Sequence, residues 1–148
     1  MTNWAVSLAL ATLAMAAAVH AADVPSPGET QLDEMRATFR AVLPDVEKGN
    51  WRPAEDAGAT LSQYVLWPDL RAAYFRAKIR TEDHGAIESF LDEHGILKPA
   101  RELRYRYALH LAEEGRLDEY FQIYQQYYQG LEVAQLDCLA LQAELAAG

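Results

Sequence analysis

Residues 100–115, ARELRYRYALHLAEEG, open on Arg101, Arg104, Tyr105, Arg106 and Tyr107, basic groups interleaved with aromatic rings. Such a run can grip phosphates and stack on bases or sugars, or it can be one helix of a packed helical protein. Projected at 100° per residue, Ala100, Tyr105, Tyr107, Ala108, Leu109, Leu111 and Ala112 cover an arc of roughly 200°, wider than a surface helix needs. Opposite stand Glu102, Arg106, His110, Glu113 and Glu114, a solvated face on which Glu102 and Arg106 can pair four residues apart. The stretch reads as a core helix, opened by Pro99 and ended by Gly115.

Arg101 and Arg104 do not fit that division. Both fall inside the apolar arc in the first turn, where the helix dipole disfavours cations. A buried guanidinium without a partner is costly. The expectation is a facing carboxylate. Asp137 comes first, because it interrupts the apolar run AQLDCLALQ, and Asp69 second, near the start of PDLRAAYFRAK. The residues leave two roles open, an inter-helix ion pair that fixes packing and a ligand-binding arginine.

The same helical period extends outward in both directions. A first helix covers about Thr30 to Lys48 on Leu32, Met35, Phe39, Val42, Leu43 and Val46, with a kink or break expected at Pro44. A second follows from about Pro53 to Gln63. Trp67 enters a turn and Pro68 starts a helix to about Ile79. A short helix spans Gly85 to Glu93, stopped by Gly95. After Gly115 come RLDEYFQIYQQYY and the last helix, from Leu131. Strand patterning is absent. Gly49, Gly85 and Gly115 recur at intervals of roughly 30 to 36 residues, as helix-hairpin repeats do, each read as a left-handed cap that lets the next helix fold back. The fold class is therefore all-α, with antiparallel helix hairpins stacked as an α-superhelix, or solenoid.

Residues 1–21 read as a secretory signal peptide: an apolar run from Ala5 to Val19, then small residues, with cleavage after Ala21. Residues 22–31 read as a flexible leader containing Pro25, Pro27 and Gly28, and residues 32–148 as the folded segment. The chain carries 13 Lys+Arg against 22 Asp+Glu, a formal charge of −9. Arg71, Arg76, Lys78 and Arg80 form one basic cluster and Arg101 to Arg106 another, both among acidic residues, so nucleic acid is excluded as a partner. The one cysteine, Cys138, reads as a small buried hydrophobe.

No catalytic set emerges from the residues. His84 and His94 precede glycines and read as solvated turn residues; His110 lies on the polar side of its helix. There is no metal-ligand spacing, so no metal or cofactor is expected. Tyr120, Phe121, Tyr124, Tyr127 and Tyr128 crowd one helix. They read as inter-helix core with hydroxyls at the rim, or as a surface for stacking on a glycan.

Three stretches, YVLWPDLRAAYFRAKI, FLDEHGILKPARELRYRYALHLAEEGRLDEYFQIY and VAQLDCLALQAELAAG, together resemble the N-terminal superhelical U domain of the soluble lytic murein transglycosylases. That family has a "YPLWPYLEY" turn, which Trp67 and Pro68 match here, then an "LRxRwLxxLaxxGxW" helix and a closing "LxCyaLqAxLxxG" helix. The resemblance implies a periplasmic protein associated with peptidoglycan. In the family a separate C-terminal domain cleaves MurNAc–GlcNAc bonds non-hydrolytically, through one glutamate and no metal, giving 1,6-anhydro-muropeptides. Glu88-Ser89 superficially matches the start of that catalytic motif, but no GLMQ-like loop follows, so this chain alone is expected to lack activity and to be truncated before any catalytic domain. Its expected partners are glycan strands, with the rest of the superhelix or a capping protein on the terminal helix. The alternative is a free-standing periplasmic helical-repeat module that binds another protein.

Overall fold

The computed structural model describes residues 27–147, which hold eight helices and no strand. The expected signal peptide and cleavage site lie outside the described residues. Helix α1 spans Pro27–Val46, so the final residues of the expected leader are helical. Pro44 neither breaks the helix nor ends it, and α1 runs on to Val46. The proline is exposed and close to the C-terminus, where little helix remains to be disturbed. Gly49 then adopts φ 82° and turns the chain.

The expected second helix is two short ones, α2 (Arg52–Asp56) and α3 (Gly58–Leu61). Helix α4 (Trp67–Lys78) begins at the Trp67-Pro68 pair, with proline in its first turn. Helix α5 (His84–His94) is capped by Asp83, whose carboxylate accepts from the Ala86 amide at 3.0 Å. Gly85 lies inside α5 and is no helix cap; of the three repeating glycines, Gly49 and Gly115 (φ 76°) are left-handed. Helices α6 (Lys98–Glu113), α7 (Leu117–Tyr127) and α8 (Ala134–Ala147) complete the chain.

Two hydrophobic clusters result, and α4 belongs to both. One face of α4, with Leu70 and Ala73, packs with Val42, Val46, Ala54 and Leu61 from α1 to α3. Another, with Ala72 and Phe75, joins Ile87, Phe90, Leu103, Tyr107, Leu111, Tyr120 and Leu136. Helix α6 packs against α4, α5 and α7, which is why its buried arc is so wide. It buries Ala100, Leu103, Tyr107, Ala108 and Leu111 as an apolar set, and also Arg104 and His110. His110 is only 5% exposed, contrary to the expected polar face.

Helix α8 is covered along one stripe, Leu136, Ala140 and Ala143, while Leu141 and Leu145 are exposed. Cys138 falls off that stripe and is exposed, so it is not the buried hydrophobe the apolar sequence suggested. The α7–α8 contact is anchored by Tyr120, a buried ring whose hydroxyl donates to the Leu136 carbonyl. Beside it the Tyr124 hydroxyl donates to Asp137 Oδ1 at 2.7 Å.

Replacing Leu103 by Ala, at a fully buried position, should lower the unfolding free energy by about 2–5 kcal/mol in urea titration. Wild-type stability in this variant would mean that α6 is not central to the core. A second expectation concerns alkali. Burial, then the nearby Tyr124 and Asp137, push the Tyr120 hydroxyl from 10.0 up to about 12. The neutral hydroxyl therefore contributes stability in full below pH 10.0, and that contribution is lost as pH rises through about 12. Tyr120→Phe should show a shallower loss of stability across that window than wild type. Parallel alkaline curves would contradict the assignment.

Candidate binding groove

Arg104 is 7% exposed, as its place on the apolar arc suggested, but neither expected carboxylate meets it. Its Nη2 donates to the carbonyl of Gly95 at 3.0 Å, and its guanidinium carbon lies 3.8 Å from the centre of the Tyr127 ring. A flat, delocalised cation is suited to such stacking. Asp137 is engaged by Tyr124 on α7 instead. Asp69 lies at the start of α4, where burial raises its carboxyl pKa against the lowering effects of its own backbone hydrogen bond and Arg76.

The turn before α6 is shaped by the same guanidinium. A Cβ on Gly95 would sit 2.3 Å from Arg104 Nη2 and 2.5 Å from the Leu91 carbonyl oxygen. Gly95 has φ −58°, an ordinary helical value. Glycine is needed there for space, not for a left-handed turn.

Arg101, by contrast, is exposed. It was expected on the buried arc; the first turn of α6 instead stands at the mouth of an open groove. The groove has a volume of about 890 Å³. Arg76 from α4 and Lys98, Arg101, Arg104 and Arg106 from α6 contribute five cations, and Glu102 one carboxylate. Tyr105, Tyr127, Tyr128, Leu109 and Leu131 give it a largely apolar wall. The two basic clusters that lie apart in the sequence thus meet through the packing of α4 on α6.

These cations make few close ion pairs, although Arg76 acts electrostatically on Asp69. Glu102 pairs loosely with Lys98 at 3.8 Å rather than with Arg106. Among the described residues, Arg76, Arg101, Arg104 and Arg106 make no ion pair, whereas Arg36, Arg80 and Arg116 each hold a carboxylate within 2.9 Å. The Nη1 atom of Arg76 is buried without a hydrogen-bond partner. The tyrosines are ordered by one another and by α8. Tyr105 meets Tyr128 edge to face with centroids 6.4 Å apart, and its hydroxyl donates to Gln135 Oε1 at 2.8 Å. Burial raises the Tyr128 hydroxyl pKa, and the charge of Arg104 opposes that rise.

The other polar features serve packing. His84 is half-buried rather than solvated: its Nδ1 lies 3.0 Å from the Tyr107 hydroxyl and its Nε2 3.2 Å from Glu114. The Tyr107 hydroxyl donates to Glu88 Oε1 at 3.0 Å. Burial, then this bond, raise its pKa well above the usual tyrosine value. His110 stacks on His84 at 6.0 Å, with its Nδ1 unpartnered. His94 packs its ring against Phe90 at 4.9 Å. Trp67 packs on Trp51 at 5.3 Å, and with Pro68 it lines a smaller cleft near Arg71 and Phe90. Among the described residues no cluster of His, Cys, Asp or Glu could hold a metal ion, and no helix is long and apolar enough to cross a membrane.

Gly95→Ala should force Arg104 out of its seat and lower stability by about 1–3 kcal/mol, the usual scale of overpacking, in thermal or urea unfolding. A neutral result would show that the Gly95–Arg104 contact is not required.

No family model, curated protein or solved structure matches the chain.

Proposed function

We propose that the chain is a non-catalytic α-superhelical module of a periplasmic, peptidoglycan-processing protein of the lytic transglycosylase kind. Its helices act as stacked hairpins that hold a glycan strand, while any bond cleavage belongs to a separate domain. The observation that carries this reading is the groove, where cationic groups stand beside tyrosine rings. Rings of this kind pack against the flat apolar faces of sugars, and guanidinium groups bind carboxylates in forked geometry. Peptidoglycan offers both, sugar rings and a dense set of carboxylates.

Further support comes from where the family-like stretches fall. The Trp67-Pro68 turn opens α4, LRYRYALHLAE lies in α6 and LDCLALQAELAA lies in α8. These helices contribute to the larger core in that order. Glu88 is engaged by Tyr107 on the surface of α5, a packing role rather than that of a catalytic acid.

One observation favours the second reading, a free-standing periplasmic module that binds another protein. Leu131, Leu141 and Leu145 are exposed at 65%, 56% and 75%, a terminal apolar face of the kind that a further repeat or a capping protein covers in solenoids.

The purified chain should co-sediment with murein sacculi and release no 1,6-anhydro-muropeptides. Failure to sediment would overturn the glycan-holding role, and release of anhydro-muropeptides would overturn the non-catalytic one.

A further inference from the structure

We infer that the cleft between the start of α4 and the facing side of α5 is a second binding site, which takes the C-terminal end of a partner polypeptide. Arg71 holds the terminal carboxylate, and the apolar last side chain packs on Trp67 and Phe90. The site is separate from the basic groove. It rests neither on the glycan reading nor on the terminal face of α8.

Arg71 is seated by rings rather than by anions. Its guanidinium carbon lies 5.5 Å from the centre of the Trp51 ring and 5.4 Å from that of Phe75. Its charge acts on the Tyr74 hydroxyl, opposing the pKa rise that Glu82 causes there. Among the described residues Arg71 makes no ion pair and no hydrogen bond. Two ring faces therefore hold the guanidinium while its five N–H groups stay unused. Those groups are within reach of a ligand. The buried side-chain atoms that lack a partner are Arg76 Nη1 and His110 Nδ1; none belongs to Arg71, so its nitrogens face solvent. A planar fork fixed in advance loses less entropy when it engages a carboxylate than a free one does.

The same rings connect Arg71 to both walls of the cleft. Trp51 packs on Trp67 at 5.3 Å, and Phe75 packs on Phe90 at 5.4 Å. A carboxylate on the guanidinium thus stands near an apolar wall from α4 and another from α5. The cleft has a volume of about 540 Å³, within the range of small-ligand sites. Val65, 78% exposed, adds an apolar rim. Glu93 is the one carboxylate on the lining, with His94 at 3.6 Å, and it opposes a second negative charge on the ligand. These features select a singly charged anion with an apolar body. A chain terminus fits better than an internal Asp or Glu. Its carboxylate and its side chain leave the same Cα, so one residue fills both subsites and no long acidic side chain has to be ordered. Terminal carboxylates are a recurring handle in peptide recognition.

The test is calorimetric titration of the purified chain at low ionic strength with acetyl-Leu-Leu-Leu, as the free acid and as its C-terminal amide. The acid should bind about tenfold tighter or more, the effect of one charge-assisted contact. Arg71→Met keeps a stem between the rings and removes the charge. It should retain the wild-type circular dichroism and lose the preference for the acid. Val65→Ser, at an exposed rim position, should weaken acid and amide alike by several-fold. Arg101→Met, in the groove, should leave the preference intact. Equal affinity for acid and amide, acetate competing as effectively as the peptide acid, or a preference that survives Arg71→Met and is lost in Arg101→Met would each overturn the inference. Where Arg71→Met does not fold, Val65→Ser decides, and unchanged affinity in that variant removes the cleft as the site. A peptide of the same length ending in D-alanyl-D-alanine that binds as tightly would assign the cleft to murein stems and overturn the polypeptide partner.

Discussion

Arg104 must be buried and cannot be neutralised, because a guanidinium keeps its proton at any physiological pH. Much of the surrounding structure follows from how that charge is accommodated. Its Nη2 binds the Gly95 carbonyl, so the α5–α6 turn has to pass close enough for contact. Only a residue without a Cβ allows that approach. Its flat face lies on Tyr127, so the end of α7 is drawn to the start of α6. One side chain thereby ties together the ends of three helices. It does so through a backbone dipole and an aromatic ring, two partners that disperse positive charge without cancelling it. The uncancelled charge is what the groove presents to solvent.

The chain as a whole is acidic, and that makes the basic groove more informative. Segregated charge of one sign in a concave site with low-dielectric walls focuses the local field and raises the local concentration of the opposite ion. Away from the groove, Arg36, Arg80 and Arg116 hold carboxylates, Arg116 through two bonds to Glu119, and Arg71 lies over the Trp51 and Phe75 rings instead. At the groove, Lys98 pairs loosely with Glu102 and Arg76 acts on Asp69 from a distance.

Much of the helical framework was legible in the sequence, because Pro68, Pro99, Gly115 and the apolar spacing are local signals. Most of the α6 core face was legible for the same reason. What lay beyond local pattern was misread. Periodicity gives the direction in which a residue points but not what stands there, so Arg101 and Arg104, close together on the helical wheel, have opposite fates: one at an open mouth, the other under Tyr127. A backbone carbonyl and a ring face leave no sequence signature, whereas an aspartate in an apolar run does, and Asp137 attracted an assignment that Tyr124 in fact holds. The α6 pattern is two-sided and points His110 at solvent, but the helix packs against three others, so part of its polar side is also covered. The α8 sequence is apolar all round and so gives no sign that the helix is covered on one stripe alone, which leaves Cys138 exposed. The participation of Arg76 in the groove depends on the packing of α4 on α6 and had no local signal at all.

The most direct measurement is backbone amide NMR of the labelled chain during titration with N-acetylmuramic acid. Shift changes concentrated at Arg101, Arg104, Tyr105 and Tyr128, saturating together, are what a sugar held in the groove produces. Shift changes centred on the Trp67–Arg71 cleft, or spread over the acidic surface without saturation, would contradict it.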